Sequence, residues 1–434
     1  MWRRKWMLGV ALMLSLTVGA CGSEGDKGAD GKRADDAGET SYAPAHLVIY
    51  STSGWTEQAF YDRFGAIREK FPQHTFMYIQ SVKGSQYPDL ISAGQEIDII
   101  WESVANFRTG PIEYKTAFDM TDLIKKHNID VSRLNNAMVE RMRAMSNGGL
   151  YALPVLNNTL SLYYNKDLFD KFGVPYPKDG MTWDEVFELN RRMTRSDGGV
   201  QYIGLSFSDS HFFAIHPIAL PYADASGKAT VANGQWNPIY NTFLRAAETS
   251  GYKDKVRQLN AVPGIALFRD KMEAAMFAGL ANTHMTQDLS RMNWDVVQFP
   301  TYKEAPGVHP QTYPTYFGVS ATSKYKDQAM EVIKYLVSDE FQMIVSRTGA
   351  LPVVNDRKVL DVFAADTNFK DKNVRSALYP SFAFSAAPTE YDGVLGGIYR
   401  KYLKNLMMGE MDLNTLLRTT EEEANKAIVE FNSK

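Results

Sequence analysis

Apolar positions recur along the chain with two different periods. His46–Ser51 (HLVIYS) is a short, nearly continuous apolar run and predicts a buried strand. Trp55–Phe71 then places Phe60, Phe64, Ile67 and Phe71 at helical spacing, with Ser53 or Thr56 as the cap. Phe76–Val82 predicts a second strand, Tyr87–Ala93 a short helix and Ile97–Trp101 a third strand. That order implies parallel pairing with helices on both faces, and ligands of such sheets gather beyond the carboxyl ends of the strands. The first end carries Ser51-Thr52-Ser53-Gly54-Trp55 and the third Trp101-Glu102-Ser103, so both tips are site candidates by geometry.

Further along, Asp119–Met145 reads as mostly helical, and Tyr151–Leu156 and Leu160–Tyr164 as strands. Thr182 opens a helix over Trp183–Met193, and Glu185 three residues later gives a capping-box spacing. From Gln201 to Asp295 the pattern reads mainly helical, with loops at Ala223–Pro238 and Pro263-Gly264. Asp295–Pro300 and Tyr316–Ala321 predict strands. Lys326–Arg347 predicts one helix stopped at Gly349. Leu413–Phe431 closes the chain as a helix with Leu413, Leu416, Leu417, Ala424 and Ile428 on one face.

The first 45 residues follow neither period. Arg3, Arg4 and Lys5 precede the uncharged run Trp6–Ala20, which is shorter than the roughly 20 residues of a spanning helix. A basic start, a short apolar run and small residues at its end predict an export signal over 1–20. The run ends Val18-Gly19-Ala20-Cys21, which resembles a bacterial lipobox. Cleavage before Cys21 and lipidation of its thiol are therefore expected, with acyl chains as a membrane anchor. Residues 21–45 are rich in Gly, Asp and Ala and predict a flexible tether. The folded part is expected on the extracytoplasmic face of the cell membrane.

Composition narrows the chemistry. The 434 residues are 44% hydrophobic and 22% charged, as in a globular protein. Forty-seven basic against 50 acidic residues leave no cationic excess for nucleic acid, which is not expected as a partner. One cysteine excludes an internal disulfide and a Cys-based zinc site. The chain has no phosphate loop, no dinucleotide glycine fingerprint and no H-E-x-x-H. His211 and His216 lie five apart rather than four. No metal, cofactor or catalytic residue is expected, although two carboxylates close only in space could still make a secreted carbohydrate-active enzyme. What recurs is aromatic rings beside short polar residues, at Trp55, Trp101, Phe107, His211-Phe212-Phe213, Trp236 and Tyr391. Flat rings suit the apolar faces of sugars, and Asn, Asp, Glu, Ser and Tyr suit their hydroxyls. Such rings fill cores more often than sites, and Trp55 and Trp101 gain from lying at strand ends.

Gly149–Val186 (GLYALPVLNNTLSLYYNKDLFDKFGVPYPKDGMTWDEV) is more specific. Its Tyr151–Pro154, Leu160–Phe169 and Thr182–Glu185 segments resemble the extracellular solute-binding proteins of ABC importers that include maltose-binding protein. Asp98–Trp101, Trp294–Pro300, Phe317–Ser320 and Gly349–Val353 agree in order. The resemblance implies an α/β fold of two periplasmic-binding-protein-like lobes (type II), with a hinge and an interlobe ligand cleft. By position it implies crossings near Val155–Thr159, Met292–Val296 and Val337–Glu340. Lobe 1 is then 46–156 with 296–337, and lobe 2 is 160–292 with 341–434.

The expected ligand contacts are Trp55, Trp101, Glu102, Asn106, Asn157, His211, Phe212, Gln287, Asp288, Tyr391 and Asp392. The Asp-Arg pair that follows the third strand in maltose-binding protein has no counterpart here, so maltose itself is not implied. The whole reads as a monomeric, lipid-anchored receptor that binds a carbohydrate, by resemblance an oligosaccharide, and hands it to a membrane permease without chemistry. A non-sugar solute such as a polyamine or peptide stays open, because Glu102, Asp209, Asp288 and Asp392 could serve a polycation.

Overall fold

A computed structural model describes residues 42–386 and 388–433; the expected signal, Cys21 and most of the tether lie outside the described residues. The strands are β1 His46–Ser51, β2 Thr75–Gln80, β3 Ile99–Ser103, β4 Leu153–Leu156 and β5 Leu160–Asn165. They continue as β6 Arg195–Asp197, β7 Val200–Phe207, β8 Ala274–Leu280, β9 Trp294–Gln298 and β10 Thr315–Val319. Two five-stranded sheets result, ordered β2-β1-β3-β10-β4 and β6-β7-β8-β5-β9. β1 pairs in parallel with both β2 and β3, as the alternating pattern requires, while β10 runs antiparallel to β3 and β4.

Local signals explain where helices start and stop. Thr56 caps helix Glu57–Phe64 by accepting from the Ala59 N–H at 3.2 Å. The predicted helix over 55–71 is interrupted at Gly65, leaving Ala66–Lys70 as a second short piece. Thr182 and Glu185 form the reciprocal capping box, with the Thr182 N–H donating to Glu185 Oε2 at 2.7 Å. The single helix expected over 326–347 is two, Lys326–Leu336 and Asp339–Arg347, because Ser338 caps the second.

Residues 201–295 differ most from expectation, since β7 and β8 run through a stretch that reads as helical. β8 (AAMFAGL) lies between β7 and β5 and is almost wholly buried. It has no β-branched residue and no polar alternation, so its period cannot be read.

Each sheet carries its own core. The first core gathers Leu47, Phe60, Phe64, Trp101, Phe107 and Phe317, and the second gathers Tyr163, Trp183, Phe212, Trp236, Phe243 and Met276. The chain leaves the first sheet after Leu156 and enters the second at Leu160. It returns between Gln298 and Thr315, later than the Met292–Val296 expected, because β9 pairs in register with β5. The last crossing is also later than Val337–Glu340. Phe341, Val345, Val353 and Val359 pack in the first core, with Leu351 between them reaching the second, and from Phe363 onward the chain stays in the second. The crossings lie side by side. The Tyr313 N–H donates to Asn158 O at 2.7 Å, Thr159 Oγ1 to Gln311 O at 3.1 Å, and Gln342 Nε2 to Val155 O at 2.9 Å.

Candidate functional site

A cavity of about 460 Å³ opens between the lobes. Asn106, Arg108, Thr109 and Arg141 line it from the first lobe. His211, Tyr222, Asp392 and Arg400 face them from the second, and Tyr313 lies on the returning strand-hinge segment. A second cavity of about 390 Å³, around Trp183, Asn237, Arg245 and Tyr302, is confined to the second lobe, and its Arg245 is already paired with Asp184 at 2.6 Å. Only the first is walled by both lobes. It continues outward into a smaller hollow of about 140 Å³ that shares Arg141 and Pro388, beside Phe384, which is 85% exposed.

Local sequence makes the room. Gly393, Gly396 and Gly397 share one face of helix Asp392–Arg400 with Arg400, at spacings of three, four and seven. Glycine costs about 1 kcal/mol relative to alanine at an interior helical position, so Gly396 and Gly397 run against the helix's own preference. A Cβ on Gly396 would sit 3.6 Å from the Tyr222 hydroxyl, and one on Gly393 would come within 2.4 Å of Thr109 Cγ2 across the cleft. At Gly393 the two lobes are already in close approach.

The aromatic walls are held by packing behind them. Tyr222 stacks on the buried Trp236 at 5.4 Å, and the edge of His211 meets Tyr313 at 5.4 Å. His211 Nδ1 lies 2.7 Å from Ser208 Oγ, and burial lowers the imidazole's pKa, which keeps the ring neutral. Arg400 Nη1 donates to Asp209 Oδ2 at 2.9 Å, and its Nε to Gly396 O at 3.0 Å.

Of the expected contacts, Asn106, His211 and Asp392 line this cleft. The others fall elsewhere, each for a physical reason. Trp101 is 3% exposed, with Trp55, Phe60, Phe64 and Phe317 around its ring at 5.1–6.1 Å; it is a core residue. Trp55 is half-buried and meets Trp101 edge-on, outside the cleft lining. Phe212 is wholly buried among Trp183, Phe207, Phe243 and Phe299. Asn157 sits in the hinge, its N–H donating to Leu351 O at 2.9 Å. Gln287 accepts from Arg269, and exposed Asp288 accepts from the Ser290 N–H at 3.0 Å; neither lines the cleft. Tyr391 turns its hydroxyl to Asn432 Oδ1 at 3.1 Å, against the last helix. Arg108, Arg141, Tyr222, Tyr313 and Arg400 were not among the expected contacts. The one readable trace was the glycine spacing of 393, 396 and 397.

A profile of the bacterial extracellular solute-binding protein family matches residues 51–343, well over half of the chain. The chain belongs to that family. Its fold matches a sugar transporter from Rhizobium etli in an open conformation (TM-score 0.68, 22% identity, covering 88% of this chain and 99% of that one). It also matches a cyclic alpha-maltosyl-1,6-maltose binding protein from Arthrobacter globiformis (TM-score 0.71, 14% identity, 89% and 99%). UgpB from Mycobacterium tuberculosis in complex with glycerophosphocholine is similar to the same degree (TM-score 0.68, 17% identity, 91% and 100%). The two-lobe architecture is thus shared with binding proteins, and the family's members are binding proteins rather than enzymes.

Glu102 has a structural part to play in this fold. It is fully buried at the end of β3, where Oε1 accepts from the Thr52 N–H at 2.7 Å and Oε2 from Thr52 Oγ1 at 2.8 Å and Ser51 Oγ at 3.4 Å. Burial pushes its pKa up to about 7, against the downward pull of these donors and Asn106. The folded state therefore holds a proton that the unfolded chain, near the ordinary value of 4.5, has lost. Stability from this group is complete below about 4.5 and declines as pH rises through about 7. Glu102→Gln should flatten that decline, as read from denaturant midpoints across the interval; an unchanged slope would assign the titration to another group.

Proposed function

We propose that the protein is the receptor of an ABC importer and takes a carbohydrate, of more than one ring, into the interlobe cleft. The observation that carries this is a cavity of about 460 Å³ whose walls come from both lobes. That volume falls within the roughly 300–1,000 Å³ of small-ligand sites. Tyr222 and Tyr313 supply ring faces and edges, and Asn106, Asp392 and the arginines supply hydrogen-bond partners for hydroxyls. The outward hollow beside Phe384 supports a ligand longer than one ring. Binding proceeds by closing the lobes, so that each half adds contacts the open form lacks. A polycation is poorly served. Glu102 is buried in the first lobe, Asp209 is paired with Arg400, Asp288 lies on the surface, and only Asp392 lines the cleft.

A thermal-shift screen over neutral and acidic mono- and oligosaccharides tests the reading. A solute at 100 times its Kd adds about 2.7 kcal/mol to stability. At least one saccharide should raise the melting temperature; none doing so would end the carbohydrate reading.

The lone Cys21 after its lipobox-like run supports a lipid anchor, with the receptor held at the extracytoplasmic face beside the permease. Cys21→Ala should move the protein from the membrane to the soluble fraction without changing its melting temperature. A variant that still sediments with membranes would refute the anchor.

A further inference from the structure

We propose that the solute carries an anionic oxygen group, a carboxylate or phosphate, and that Arg108 and Arg141 bind it. The inference rests on the reading of the interlobe cleft as the solute site. Three guanidiniums line that cleft, from Arg108, Arg141 and Arg400, and two carboxylates lie at it, Asp209 and Asp392. Arg400 and Asp209 neutralise each other at 2.9 Å. Asp392 is engaged locally, its Oδ1 accepting from Thr389 Oγ1 at 2.6 Å and its Oδ2 from the Thr389 N–H at 3.2 Å.

That leaves Arg108 and Arg141. Among the described residues, neither has a carboxylate within ion-pairing distance. Arg141 has one side-chain hydrogen bond, from Nη1 to the neutral Ser385 Oγ at 3.0 Å. The Nε atoms of both arginines are buried with no acceptor. Burial draws the pKa of Arg141 down and pushes that of Asp392 up, the second against the pull of both arginines. An unpaired guanidinium taken out of water is costly, and its removal from solvent is offset best by an anion. The planar fork of arginine suits two oxygens of one group, which a carboxylate and a phosphate both present. A neutral sugar hydroxyl can accept from arginine too, but it leaves the charge uncompensated.

The sequence placed no such signal in view. Arg141 rides on helix Asn136–Met145, whose Met138, Val139, Met142 and Met145 are buried, and there it reads as a flanking solvated cation. Only the folded chain shows that the flank of this helix is a cleft wall.

Calorimetric titration of the full-length protein decides the matter. The probes are uronate-containing oligosaccharides, sugar phosphates and glycerophosphodiesters, each beside its uncharged counterpart, which separates the carboxylate from the phosphate source. The charged member of at least one pair should bind at least tenfold tighter, and its affinity should fall as salt rises. Arg108→Gln and Arg141→Gln should each erase that advantage, with Arg→Lys retaining part of it. Should a glutamine variant fail to fold, the salt titration of the unmodified protein still decides.

A neutral saccharide binding as tightly as its charged partner would overturn the inference and leave the carbohydrate receptor standing. A glycerophosphodiester binding where no saccharide does would uphold the inference and remove the carbohydrate. Silence across the whole panel would overturn both.

Discussion

Trp101→Ala is expected to cost about 3–5 kcal/mol of folding stability, the usual range for removing a large buried aromatic. The indole stands in the middle of β3, opposite Phe317, and is enclosed by Phe64 at 5.8 Å and by Phe317, nearly parallel to it at 6.1 Å. Trp55 closes it edge-on at 5.1 Å. The neighbours cannot collapse into so large a space: Phe317 is held by the β10–β3 pairing, Phe60 and Phe64 by a helix capped at Thr56, and Trp55 by the Tyr78 hydroxyl, which donates to its carbonyl at 3.2 Å. Solute affinity of whatever fraction remains folded should stay near that of the unmodified protein. Denaturant unfolding of the unliganded variant provides the check. Full stability with lost binding would return Trp101 to the cleft wall.

Gly393→Leu should act in the opposite sense, sparing the fold and weakening the solute by about tenfold or more. The position is exposed, its backbone is helical, and leucine is a better helix former than glycine by roughly 1 kcal/mol. Its side chain would enter the space where Thr109 of the first lobe approaches, already 2.4 Å from the position of a Cβ. A closed form that must repack against this side chain is less populated, and apparent affinity falls in proportion to that loss. Gly393→Ala is the finer probe. Its single methyl meets Thr109 Cγ2, so adding Thr109→Ser should restore what the alanine removes. Calorimetry on the three variants reads the effect. Unchanged affinity in Gly393→Leu would mean that the lobes do not close at this point.

The strands of the first lobe were legible because their apolar runs are bounded by turns and caps, and Thr182 with Glu185 marked a helix start that the fold reproduces. β8 was not, because a strand buried on both faces shows no alternation. The site was less legible than the fold for a related reason. Trp101 reads as the end of its strand, whereas β3 runs on to Ser103; its local sequence is the same whether the ring fills the core or faces a cleft, and only the packing of Phe60, Phe64 and Phe317 decides. Phe212 went the same way, while its neighbour His211, one position round the helix, reached the cleft. Tyr222 and Tyr313 stand on connecting segments far apart in the chain, and nothing local joins them. Crossing points slipped for a comparable cause. Whether Trp294–Gln298 belongs to one sheet or the other depends on a partner strand more than 120 residues earlier, so local pattern cannot assign it.

Small-angle scattering of the protein with and without saturating saccharide addresses most directly whether two lobes close over a solute. The radius of gyration should fall on binding in the unmodified protein and should change far less in Gly393→Leu at matched occupancy. A scattering profile that is the same with and without bound saccharide would contradict closure around the cleft lined by Arg108, Arg141, Tyr222 and Asp392.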